Sequence, residues 1–286
     1  MNHWILKLGR RLLYFAVLAI LGALLCATMV RFAPGYGVDE RELDSRLSRA
    51  SREAMRSELE LRGGLVSYYG TYIRGLVHGD FGTSAFLRRP VGDLLRERAP
   101  FTARAVLLGL LTAWIAATTL ALLTSRFPNW ALDYSATAAT GLLIALPTAV
   151  VAIACLYLRA PVFVGIAIVT LPKLYRYQHN IFAHAHEQPF VLAARARGVG
   201  RNRILFRHVI PVAWQPLVAL LGVSASMAFG AAIPLEALSD SPGMGQLAWQ
   251  AALNRDLPLL TSVTLIVTLL TVGVNSAAGM IHKERP

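Results

Sequence analysis

Six stretches of this chain are apolar over a length that leaves few structural options: about 12–32, 101–125, 134–158, 160–182, 209–238 and 257–281. A helix that crosses a bilayer needs about 20 mostly apolar residues. Hydrocarbon offers no water to backbone N–H and C=O groups, so spans of this length are helices. The fold class that follows is an all-α membrane protein with six transmembrane helices. Apolar residues make up 55% of the chain and mean hydropathy is +0.51, too apolar for an ordinary soluble domain. No internal repeat, low-complexity tract or long linker divides it, so residues 1–286 read as one membrane domain.

The formal net charge is +12, most of it from arginine. These residues flank the apolar stretches, so topology and anionic lipid account for them, and nucleic acid is not an expected partner. Lys7, Arg10 and Arg11 precede the first stretch, which is longer than a signal-peptide core and reads as an uncleaved first helix. Basic residues collect on the cytoplasmic side. With the N-terminus inside, six crossings return Lys283 and Arg285 to the cytoplasm, and Arg126 and arginines 195, 197, 201, 203 and 207 fall there too.

The segment over about 33–100 must then lie outside. Its arginines are nearly balanced by acids such as Asp39, Glu42, Asp44, Glu53 and Glu58, and the positive-inside rule weakens in loops this long. Asp39–Leu61 reads as a charged surface helix, Leu65–Val77 as a more apolar helix, and Gly79-Asp80-Phe81-Gly82 as a turn. A second outer segment follows the fifth stretch. It comprises Glu236, the turn Asp240-Ser-Pro-Gly243-Met-Gly245, a short amphipathic helix over Gln246–Leu253, and Asn254-Arg-Asp-Leu-Pro258.

The most informative polar segment spans about 183–208. Pro189 suits a helix start and Gly198 the left-handed position past a helix end. Phe190, Ala193, Ala194 and Arg197 fall on one predicted face, with Glu187 before them and Arg201 after. Small alanines admit a close partner surface. On residues alone, a basic loop that only holds topology reads equally well.

Charges and serines within the spans are candidate path residues. Lys173 and Arg176 interrupt the fourth stretch, and charge at membrane depth faces protein or water. Lys173 is open between meeting an anionic solute group and snorkelling. Arg176 stands near enough to the inner end to snorkel. Ser224 and Ser226 either line a path or ease helix packing. His184 and His186 alternate as on a strand, and His179 lies too far for a zinc pair, so the three read as interfacial residues and no metal site is expected. Cys26 and Cys155 lie in apolar spans and read as buried hydrophobes. The chain has lysine only at 7, 173 and 283, none after glycine, so it has no phosphate-binding loop and is not itself an ATPase.

The segment around Ala193-Ala194, Gly198 and Pro211 resembles the cytoplasmic motif of binding-protein-dependent transport permeases, with Leu192 where the motif has Glu. Ala33-Pro34-Gly35, Gly79 to Ser84, Pro90-Val91, Arg98 to Thr102, Glu236 to Gly245 and Asn254 to Pro258 resemble, in order, the first permease subunit of dipeptide, oligopeptide and nickel importers. The resemblance implies an ABC type I importer permease fold in a bacterial inner membrane, multi-pass with cytoplasmic termini. It implies a second homologous permease, two ATP-binding subunits that hold ATP and Mg, and an extracytoplasmic solute-binding protein. This chain itself would bind no cofactor. Glu187, Phe190, Ala193, Ala194, Arg197, Gly198 and Arg201 would couple to the ATPase. Lys173, Ser224 and Ser226 would lie along the solute path. Asp80, Glu236, Asp240, Gly243 and Gly245 would shape the outer loops. The solute would be a peptide or related small molecule carried by alternating access. Nickel or another metal chelate is the alternative, and a non-transporting scaffold is the competing class. The sequence departs from the family in its short loop over about 159–161 and in the histidines after the fourth span.

Overall fold

The computed structural model describes residues 65–126 and 130–283, and nine helical positions between Tyr14 and Met29. The rest of the first span and the expected helix over Asp39–Leu61 lie outside the described residues. Helix α1 is Leu65–Val77, and α2 is Val91–Arg126. Helix α3 is Trp130–Ala145, α4 Thr148–Tyr157, α5 Val162–His186 and α6 Pro189–Ala196. Helix α7 is Arg201–Leu238, α8 Met244–Leu253 and α9 Leu257–Lys283.

Among the described residues, three helices are long and apolar enough to cross a membrane: α2, α7 and α9. The third expected span is not one straight helix. It is the pair α3 and α4, bent by 90°. The cause is local. A residue before proline is driven out of helical geometry, and Pro147 itself sits extended at φ −59°, ψ 139° ahead of α4. Helix α5 has 25 residues, about 37 Å, enough to cross. It carries charge on one face and is not among the three.

In α7 a π-turn over Leu205–Val209 precedes Pro211. Proline lacks the N–H that would bond four residues back, and its ring crowds that carbonyl. One wide turn accommodates both problems, and such turns recur at functional sites.

The chain divides into two compact units. One comprises the chain up to Glu97 with Leu247–Leu269, the other Arg98–Gln246 with Leu270 onward. In the first unit, Tyr72 Oη and Ser262 Oγ stand 3.1 Å apart, joining α1 to α9. The turn ahead of α2 is tied to Asp256, described below. In the second, α5 is central and packs on α3, α4 and α7. Glycines permit close approaches there. A Cβ on Gly109 would stand 2.8 Å from Ile166, and one on Gly165 2.7 Å from Leu235. Lipid tails are as apolar as a leucine side chain, so helices in a membrane associate through such close contact.

Candidate functional site

The polar segment at the end of α5 folds as a short seated helix. Gln188 is extended, Pro189 opens α6, and Gly198 takes φ 76° beyond its end. Gly198 N–H donates to Arg195 O at 2.9 Å and Val199 N–H to Ala194 O at 3.2 Å, satisfying carbonyls the helix leaves open. Val191 and Ala194 are buried among Phe182 and Ala185 of α5 and Ile204, Leu205 and Val209 of α7. The single predicted face is therefore split. Phe190, Ala193 and Arg197 are exposed, whereas Ala194 is 7% exposed and belongs to the chain's own core. The physical reason is angular: positions three apart share a face more closely than the pair 193–194, which lie about 100° apart.

The outer surface of α6 thus offers Phe190, Leu192, Ala193 and Arg197, with Arg195 beside them. Glu187 and Arg201 are exposed at either side of the segment, as is Phe206 on the π-turn. The rings of Phe190 and His208 stand 6.5 Å apart. Arg195 Nη2 lies 3.2 Å from His186 Nδ1. A guanidinium can only donate, so His186 Nδ1 is the acceptor of this hydrogen bond.

The loop-forming acids differ from each other. Glu236, expected in a loop, lies on the last turns of α7 and is fully buried. Its Oε2 accepts from Thr102 Oγ1 at 3.0 Å and from Gly245 N–H at 2.7 Å. Thr102 Oγ1 accepts in turn from Met244 N–H at 2.8 Å. A Cβ on Gly243 would overlap the Glu236 carboxylate, so only glycine fits there. Asp240 is exposed at φ 50°, a conformation aspartate tolerates, and bonds Gln246, which also accepts from Arg98 Nη1 at 3.1 Å. Asp80 is exposed and accepts from Gly82 N–H at 2.8 Å, closing a turn on itself. The sequence reading passed over Asp256. This buried carboxylate accepts from Ser84 Oγ, from Phe86 N–H at 3.1 Å and from Leu259 N–H at 3.2 Å. Its signal was present: an acid directly before Leu257-Pro258 is an N-cap pattern.

The candidate path residues separate in the same way. Ser224 is fully buried, accepting from Trp114 Nε1 at 3.0 Å and donating to Leu221 O at 2.8 Å, so its hydroxyl serves helix packing. Ser226 is half-buried and accepts from Asn275 Nδ2 at 2.7 Å. Lys173 is exposed on α5. Arg176 does not snorkel to the α6 end. A Cβ on Gly141 of α3 would stand 3.4 Å from its Nη2, whereas His179 Nε2 of α5 pairs with Asp133 Oδ1 of α3 at 3.6 Å. Gly141 lies eight residues beyond Asp133 along the antiparallel α3, so the guanidinium reaches toward the N-terminal side of α5. Helical side chains lean that way. The histidines are helical, not strand-like. His179 also lies 3.2 Å from Thr124 Oγ1, and His184 lies 3.4 Å from Gln188 Nε2.

A long helical array with a short helix folded between two of its members is the arrangement of an importer permease, and comparisons with known proteins agree. Residues 105–283 match the family model described as binding-protein-dependent transport system inner membrane component. The chain belongs to this family, as an inner-membrane permease component of an ABC importer. It is 25% identical over 270 residues to the oligopeptide transport system permease protein AppB of Bacillus subtilis, covering 84% of this chain and 85% of that one. It is 27% identical over 264 residues to the oligopeptide permease OppB of Salmonella typhimurium, covering 84% of each. A glutathione transport permease, GsiC of Shigella boydii, is 25% identical over 250 residues, covering 80% of this chain and 81% of that one. A solved chain of the MetNI methionine ABC transporter, in inward-facing conformations, shares the fold with TM-score 0.60 at 16% identity, covering 66% of this chain and 95% of that one.

Proposed function

We propose that this chain is one of two permeases that carry a peptide, or a related small solute, across the inner membrane by alternating access. The first apolar stretch, α2, the pair α3–α4, α5, α7 and α9 are its six crossings, with both termini in the cytoplasm. The second permease is a homologue. Two ATP-binding subunits hold ATP and Mg, and an extracytoplasmic binding protein delivers the solute. The peptide assignment draws on the relatives named above.

The observation that carries the coupling role is the seat of α6. Val191 and Ala194 root it against α5 and α7, so a push on its outer face moves both helices. That outer face combines the exposed rings and side chains of Phe190, Leu192 and Phe206 with small Ala193 and a set of arginines. Exposed aromatics beside arginine are what protein interfaces use. ATP-driven closure of the ATPases would deliver the push.

The burial of Ala194 decides which substitution tests this. Ala194→Trp would wreck the chain's own packing, whereas Ala193→Trp alters only the outer face. The expected result for Ala193→Trp is normal membrane insertion, at least a tenfold loss of stimulated ATP hydrolysis, and poor co-purification of the ATPase. Wild-type hydrolysis and co-purification would reduce the segment to a charge anchor. Topology has its own measurement, in a background without Cys26 and Cys155. An impermeant thiol reagent added outside should label Asn254→Cys and spare Asn202→Cys; labelling of Asn202→Cys would invert the orientation.

A further inference from the structure

The exposed face of α5 is polar where a membrane helix should not be. Lys173, Tyr177, Asn180 and His184 recur at intervals of four, three and four residues, which places them on one face, with Arg176 alongside. All five are exposed. Lys173 stands eleven residues from Val162 and thirteen from His186, near the middle of the helix. Arg176 reaches back toward the same level, its head group over Gly141, where the missing side chain leaves it room.

Among the described residues neither Lys173 nor Arg176 makes an ion pair or a hydrogen bond. Helices α3, α4, α5 and α7 together contain two carboxylates, Asp133 and Glu236. Asp133 faces His179, and Glu236 is enclosed by Thr102 and Gly245. Two cations halfway along a spanning helix are costly against lipid, so this face looks onto water or protein. Toward the α6 end the stripe continues into a groove of about 280 Å³ between α5 and α7, lined by Tyr177, Asn180, His184, Val212 and Pro216.

We propose that this face of α5 lines the solute path and that Lys173 and Arg176 hold an anionic group of the solute, such as a peptide carboxylate, during passage. The inference rests on α5 crossing the membrane in an importer, as proposed above, and adds the charge class of the cargo. Guanidinium offers a carboxylate two parallel N–H donors, and the lysine ammonium supplies a point charge beside it. Tyr177, Asn180 and His184 provide further polar partners along the way out.

The test uses the complete transporter, purified with its partner subunits and binding protein and reconstituted into phosphatidylcholine vesicles. The probes are radiolabelled trialanine and trialanine amide, which differ at the carboxylate. The wild type should take up the free acid faster than the amide. In Lys173→Met/Arg176→Met, free-acid uptake should fall at least tenfold while amide uptake falls far less, collapsing the ratio, and Lys173→Arg should retain it. One binding protein serves every variant, so a change in the ratio belongs to the permease. A ratio untouched by the double substitution overturns the inference and leaves the importer reading standing. Failure of the wild type to carry either peptide overturns the peptide reading and this inference with it. Two further outcomes overturn it in favour of other anions. If the effect of the double variant appears only when phosphatidylglycerol is added, the anion is a lipid headgroup. If the second permease fails to co-purify with the double variant, the anion is a carboxylate of that subunit.

Discussion

Gly243→Ala should destabilise the protein by about 3 kcal/mol, because the added methyl displaces a buried carboxylate from its donors. The atoms in its way are the carboxylate carbon and both oxygens of Glu236. That side chain is fully buried and cannot swing aside into water. It must leave Thr102 Oγ1 and Gly245 N–H, and with them goes the side-chain tie that holds Thr102 and Gly245 to the end of α7. Glu236→Ala should cost a similar amount by the complementary route, orphaning the Thr102 hydroxyl and the Gly245 amide. The double variant is the sharp measurement. With the carboxylate gone the methyl has room, so the combined loss should be well below the sum of the two. Denaturant unfolding of the detergent-solubilised protein reads all three. Strict additivity would show that Gly243 and Glu236 act apart, contrary to the lock described here.

Asp256→Ala should cost about 3 kcal/mol and loosen a defined stretch of the chain. One oxygen caps the first turn of α9 through Leu259 N–H; the other takes Ser84 Oγ and Phe86 N–H. The side chain is 1% exposed, so water cannot replace it without opening the structure. Loss of an N-cap accounts for about 1 kcal/mol, and the two donors left behind account for the remainder. Hydrogen exchange should quicken at the amides of Phe86 and Leu259 together, with that of Gly109 in α2 unchanged. Asp256→Asn keeps an acceptor for the cap and should lose about half as much. Unaltered exchange at Phe86 in Asp256→Ala would refute the claim that this carboxylate anchors the 83–90 turn.

Much of the local structure was legible in the residues. Leu65–Val77 is a helix over the range its composition suggested. Pro189 and Gly198 bound α6 because proline is pre-set for a first turn and glycine alone accepts φ 76° without strain. Gly79 and Gly82 likewise carry positive φ in the expected turn. These are short-range facts, set by one residue's own torsions. The bend in the third span was not read from the sequence, because apolarity on both sides of Pro147 made 134–158 look like one helix.

The sequence by itself determined that the chain is built of long apolar helices, where the turn and cap residues around α6 fall, and which family it resembles. Those properties depend on composition, caps and linear spacing. Only the tertiary structure decided which side of each helix meets protein. In a soluble helix the polar stripe reveals the buried face. Here lipid and protein interior are equally apolar, so the alternation that would report burial is missing. Ala193 and Ala194 are chemically identical neighbours, yet one is exposed and the other lies in the core. Ser224 and Ser226 stand two residues apart, and one is sealed against Trp114 while the other meets Asn275. Glu236 reads as a loop acid until Thr102, 134 positions away, is seen donating to it. What a residue touches across such a separation is set by helix packing, which no local pattern encodes.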